Sequence, residues 1–116
     1  MHGVDVHKLP FGTTLLVVTQ NNLYKITKKH GSEVIVQGGK YMIEPSEAVF
    51  AGSSFGGSML KIGWIDYGLL MEFYVKKIKK NIKTSPVKAV RILGNGWEYD
   101  MEWKTGSDNL SLFKSN

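Results

Sequence analysis

The chain predicts an all-β fold, a small antiparallel β-barrel of about six strands plus a C-terminal β-hairpin. Three observations predict it. Apolar and polar side chains alternate with a period of two through most of the sequence. No window shows the sustained spacing of three and four that a helix needs. Turn-forming Gly, Asn, Asp, Ser and Pro punctuate the chain at short intervals. A barrel is favoured over an open sandwich because glycines suit sharp strand bends and because closure removes exposed edges.

The 116 residues make one ordinary domain, and 42% apolar with 22% charged residues is a globular composition. There is no cysteine, so disulfides and thiolate metal sites are excluded. Residues 1–10 begin Met1-His2-Gly3-Val4-Asp5-Val6-His7-Lys8 and are expected to form a flexible N-terminal arm. They lack the apolar run of a signal peptide, and no run approaches the roughly 20 apolar residues that span a bilayer. A cytoplasmic protein with no membrane partner is expected.

The barrel domain is placed at residues 11–104. Thr13 to Gln20 is rich in β-branched residues and predicts a strand, Asn21-Asn22 a two-residue loop, and Leu23 to Lys28 the returning strand. That register sets Thr19 opposite Tyr24 and Val17 opposite Ile26, with Lys25 and Thr27 turned away. His30-Gly31-Ser32 turns the chain into a short strand, Glu33 to Gln37, which Gly38-Gly39 ends. Tyr41 to Glu44 is extended before Pro45, and Ser46 to Ser53 is a strand. Gly52 to Ser58 reads as a glycine-serine loop or a strongly bent strand, and Met59 to Ile65 as one strand.

After the Asp66-Tyr67-Gly68 turn, Leu69, Met71, Phe73 and Val75 share one face with Glu72 opposite. Lys76 to Asn81 is a basic loop, and Ile82 to Leu93 a strand interrupted at Ser85-Pro86, where a proline requires an edge or bulge. Asn95-Gly96 is a strong hairpin signal and defines a hairpin at residues 88–104. Folding there pairs Ile92 with Tyr99, Val90 with Met101 and Arg91 with Asp100. Residues 105–116 read as a polar tail, with a short final strand at Leu110 to Phe113.

One set of residues carries a resemblance. Thr19-x-Asn21-x-x-Tyr24, Val36-x-Gly38-Gly39 and Gly52-Ser53-x-x-Gly56-Gly57-Ser58-x-x-Lys61-x-Gly63-x-Ile65-x-x-Gly68 are followed by Glu72-Phe73 and Thr84-Ser85-Pro86-Val87. This pattern, over residues 11–93, resembles a set of short, uncharacterised bacterial β-rich proteins. The resemblance implies a self-contained β domain and carries no activity or functional residue with it.

Three constellations bear on function. The net charge is +5, and residues 76–91 hold Lys76, Lys77, Lys79, Lys80, Lys83, Lys88 and Arg91 with no acid. Lys76, Lys77, Lys79, Lys80 and Lys83, with Trp64 as a stacking ring, form a candidate nucleic-acid surface. Its bland counterpart is a solvated hairpin, and the absence of an RNP-like motif and the single arginine weigh toward that. Gly52, Ser53, Gly56, Gly57 and Ser58 with Lys61 form a candidate anion-binding loop. Ser58 and Met59 stand where a P-loop has Lys and Ser/Thr, so a strand bend or bulge competes with that reading. Trp97, Tyr99, Met101 and Trp103 share one face of the strand after Asn95-Gly96 and suggest core, a subunit interface or, least favoured, a platform that stacks a sugar or base. His2, Asp5 and His7 are too few to make a metal site.

No catalytic constellation and no cofactor motif is present in the sequence. The expected function is a non-enzymatic interaction module that self-associates into a homo-oligomer, the alternatives being a nucleic-acid-binding barrel and a small-anion binder.

Overall fold

The computed structural model describes residues 3–57, 59–94 and 97–101. Ten strands account for most of them: β1 (Gly3–Asp5), β2 (Thr14–Thr19), β3 (Leu23–Lys28), β4 (Glu33–Gly38), β5 (Met42–Ser54), β6 (Leu60–Ile62), β7 (Trp64–Asp66), β8 (Leu70–Val75), β9 (Lys80–Gly94) and β10 (Trp97–Met101). A single 3-10 turn, Val6–Lys8, is the one helical element among the described residues. The fold is all-β, as the period-two pattern predicts.

The architecture is a closed meander. Strands β2, β3, β4, β5, β8 and β9 pair antiparallel in chain order, and β9 returns to β2 to complete a six-stranded ring. Two strands lie outside the ring on the same sheet: β6 along β5 and β10 along β9. A separate two-stranded sheet joins β1 to β7.

Closure depends on the two longest strands. The first half of β5 pairs with β4, whereas its second half pairs with β8. Likewise β9 pairs with β8 through Lys80 to Pro86 and with β2 through Val87 to Leu93. The change of partner in β9 falls at Ser85-Pro86. The predicted interruption is therefore a bulge within one continuous strand, where a missing N–H costs no ladder bond.

The interior follows alternation. Leu15, Val17 and Thr19 of β2 are buried, as are Tyr24 and Ile26 of β3, Val34 and Val36 of β4, and Met71, Phe73 and Val75 of β8. Phe50 and Phe73 are directly opposite across β5 and β8, and each is about 1% exposed or less. Full burial of a side chain this size contributes about 1.5–3 kcal/mol. Tyr24 meets Phe73 edge-on at 6.0 Å between ring centroids, a favoured aromatic geometry.

Three expectations need correction. The first hairpin pairs Val17 with Tyr24 and Leu15 with Ile26, two residues from the predicted register. Thr19 is the cause. Its N–H donates to the Asn22 carbonyl at 2.8 Å, and its hydroxyl accepts from the Asn22 N–H at 3.1 Å. A longer loop, Gln20 to Asn22, thus replaces the two-residue turn.

Met59 to Ile65 is not one strand. Gly63, at φ 77°, turns the chain so that β6 pairs with β5 and β7 pairs with β1. Residues 3–9, expected as an arm, pack onto the barrel: Val4 and Val6 join the core cluster, and the Val6 N–H donates to the Gly63 carbonyl at 2.8 Å.

Lys28, at the end of β3, is 4% exposed. Its three ammonium protons find the carbonyls of Val6, His7 and Leu9 at 2.9, 3.1 and 3.0 Å. A buried ammonium is tolerated only when it is so solvated by acceptors, and these acceptors tie the N-terminal segment down.

The pairing of Tyr99 with Ile92, Asp100 with Arg91 and Met101 with Val90 is found as predicted. Asn95-Gly96 itself and the polar tail at 105–116 lie outside the described residues.

Candidate functional site

Two places on the surface combine exposed apolar groups with charge. The first is at the β5–β6 hairpin, built on the candidate anion loop. Gly52 is there because β5 and β6 approach too closely for a side chain: at φ 149°, a Cβ would stand 2.2 Å from the Lys61 carbonyl oxygen. The register of β5 against β8 also shifts between Phe50 and Gly52. This is the bulge that the bland reading foresees.

Beyond Gly52, the hydroxyls bind the protein itself. Ser53 Oγ donates to the Trp64 carbonyl at 2.6 Å and accepts from the Asp66 N–H at 3.1 Å. Ser54 Oγ donates to Glu72 Oε2 and accepts from the Gly56 N–H. Lys61 Nζ is 2.7 Å from Asp66 Oδ2 and 4.8 Å from the Trp64 ring centroid. A cleft of about 450 Å³ opens beside these groups, lined by Ser53, Ser54, Phe55, Met59, Leu60, Lys61, Asp66 and Leu69.

The structure thus brings Ser53 and Lys61 together and adds Ser54, Asp66 and Glu72, which the loop motif did not include. Their polar atoms are satisfied internally, and Lys61 already has a carboxylate partner. The cleft is framed instead by apolar side chains: Phe55 and Met59 are 85 and 81% exposed. Gly56 and Gly57 lie on the same exposed loop, and Ser58 lies outside the described residues.

The second place is the opposite end of the β5–β8–β9 surface, where the basic loop turns. Lys76 is held by Glu33 at 3.4 Å and Glu47 at 3.9 Å. Lys77 and Lys79 stand exposed on the turn, Lys79 at φ 52°, and Lys83 is exposed on β9 opposite Glu72. Trp64 does not belong with the lysines of the turn. β7 lies against Ser53, whose partner on β8 is Met71, whereas the lysine turn follows Val75, about 13 Å further along the strand.

A different aromatic residue takes its place. Tyr41 is 46% exposed, with Lys80 Nζ at 4.7 Å and Lys40 Nζ at 5.2 Å from its ring centroid. A groove of about 410 Å³ runs beside it, lined by Tyr41, Ile43, Glu44, Pro45, Ser46, Val75, Lys77 and Ile78. Neither Tyr41 nor Lys40 was singled out by sequence, since forty positions separate them from Lys80.

The third candidate, the aromatic face of Trp97, Tyr99, Met101 and Trp103, falls on β10 and beyond. The backbone of β10 pairs with Gly94 to Val90 of β9. The side chains of residues 97–101, and all of Trp103, lie outside what is described. What the backbone does show is position. Because β9 already pairs with β2 and β8, the ring is complete without β10, whose outer edge has no partner among the described residues.

No group of three or more His, Asp or Glu side chains that could hold a metal ion occurs among the described residues. No described helix is long and apolar enough to cross a membrane. No family model, curated protein or solved structure matches this chain.

Proposed function

We propose that this protein is a non-enzymatic interaction module that self-associates through the outer edge of β10. The observation that carries this reading is the position of β10: an appended strand on a ring that closes without it. An unpaired edge is a template for another strand, and an isologous β10–β10 contact closes at two copies.

One sequence feature supports a second copy as the occupant. Trp97, Tyr99, Met101 and Trp103 fall on one side of the strand by alternation, the composition of a subunit interface.

Light scattering across a concentration series tests the proposal. A dimer is expected for the full chain and a folded monomer for a chain ending at Gly94, whose ring is intact. A full chain that stays monomeric at millimolar concentration removes the reading.

A second face competes for the same role. Phe55, Met59 and Ile62 surround the free edge of β6, and contiguous exposed apolar groups mark interaction surfaces. Phe55→Ser with Ile62→Ser separates the two: loss of the dimer in this variant, with the Gly94 truncation still dimeric, assigns the contact to β6.

A further inference from the structure

We propose that the groove between the first half of β5 and the β8–β9 turn binds single-stranded nucleic acid, with Tyr41 as the stacking ring and Lys40, Lys77 and Lys80 as phosphate contacts. The site does not depend on self-association.

Topology creates the groove. β5 begins at Met42, but its pairing with β8 begins only at Ala48. Up to Glu47 the strand is paired with β4 on one side, and the β8–β9 turn stands on the other. The Lys76 N–H donates to the Glu47 carbonyl at 3.0 Å where the two meet. The turn's lysines and the residues at the start of β5 therefore face one space.

Chemistry narrows the occupant. Tyr41 and Ile43, 46 and 79% exposed, give the groove a flat ring and an aliphatic side. Both ammonium groups near the ring, Lys40 and Lys80, have that ring as their partner, and Lys77 has no carboxylate within ion-pair distance among the described residues. Positive charge here is thus available to an anion, unlike that of Lys61 or Lys76, which already face carboxylates. An acidic protein segment would use the charge but not the ring. A chain of phosphates bearing planar bases uses both, since base–aromatic stacking is indifferent to sequence and lysine suits phosphate as a point charge.

Glu44, the acid among the groove's lining residues, fixes orientation. It repels phosphate, so the sugar–phosphate chain runs along the Lys40, Lys77 and Lys80 side. The base is directed toward Glu44, which can accept from an exocyclic amino group.

Fluorescence anisotropy with labelled twenty-nucleotide dT and rU strands, in 25 and 200 mM NaCl, tests the site. The full chain is expected to bind at low salt and to weaken at least tenfold at high salt, because binding releases condensed counterions. Tyr41→Ala is expected to weaken binding about 5- to 100-fold, the worth of one stacked base. Tyr41→Phe should bind like the parent. Lys40→Gln with Lys80→Gln should lose affinity and flatten the salt dependence, whereas Lys25→Gln with Lys29→Gln should change binding less than twofold. Circular dichroism melts confirm that each variant is folded. Absence of binding at 25 mM NaCl overturns the proposal. So does equal loss from both lysine pairs with Tyr41→Ala unaffected, which is the signature of diffuse charge. Displacement by poly-glutamate at equal charge concentration, with Tyr41→Ala still binding, assigns the groove to acidic proteins and overturns it too.

Discussion

Lys28 Nζ lies 2.9 Å from the carbonyl oxygen of Val6, twenty-two residues earlier in the chain. Together with its bonds to His7 and Leu9, this contact adds a polar anchor to the β1–β7 pairing and the buried Val4 and Val6 that dock the N-terminal segment. Lys28→Met keeps the aliphatic stem but leaves three carbonyls without their donor. A loss of about 2–4 kcal/mol is expected, read from the urea midpoint, since hydrogen bonds to charged groups are worth more than neutral ones. A change under about 0.5 kcal/mol would show that water solvates these carbonyls equally well.

Gly63 is constrained twice over. Its φ of 77° is left-handed, and a Cβ there would stand 2.9 Å from His7 Nδ1. Gly63→Ala is expected to destabilise by about 2–3 kcal/mol, of which about 1–2 is the backbone conformation itself. In a double-mutant cycle, His7→Ala should recover the steric part and leave the backbone part. Full recovery in the double variant would show that φ carries no strain.

Tyr24 sets an alkaline limit. Burial raises its phenol above the ordinary value of 10.0, while a hydrogen bond with Asn22 pulls the other way. In the unfolded chain the phenol loses its proton near pH 10; in the folded chain it holds it to higher pH. Its contribution to stability is therefore complete below pH 10 and is lost as pH rises toward the folded value. Absorbance titration at 295 nm is expected to show one late step that Tyr24→Phe removes. If all tyrosines titrate together near pH 10 in the folded protein, burial does not control Tyr24.

Ser54 holds the β5–β6 hairpin in shape by donating to Glu72 and accepting from Gly56. Ser54→Ala is expected to cost about 1–2 kcal/mol. Amide exchange should accelerate selectively at Gly56 and its loop, with the ring strands unchanged. Uniform acceleration would mean that the contact supports the whole barrel rather than the hairpin.

Much of the fold was legible in the sequence, and the exceptions share a physical cause. The register of β9 against β10 follows from Asn95-Gly96, because a two-residue loop admits one pairing. Residues 19–24 mislead because a shift of two leaves every side chain on the same face, so alternation cannot detect it. The Thr19 hydroxyl decides, and a side chain bonding to a nearby backbone leaves no periodic trace. The docking of Val4 and Val6 is anchored in part by Lys28, and the basic groove depends on Tyr41 meeting Lys80. Both are contacts between distant segments that local pattern cannot report. Trp64 has only its ring to associate it with the lysines in the sequence, and strand order places it elsewhere.

The seam between β2 and β9 brings Thr14–Thr19 together with Val87–Leu93, nearly the whole length of the ring apart. During synthesis the early hairpins can form as they emerge, but the cylinder stays open along one side until β9 has been made. Until then β2 offers a bare flank rich in Leu and Val to every other chain nearby. Vectorial growth therefore makes the emergence of β9 the step that covers this flank.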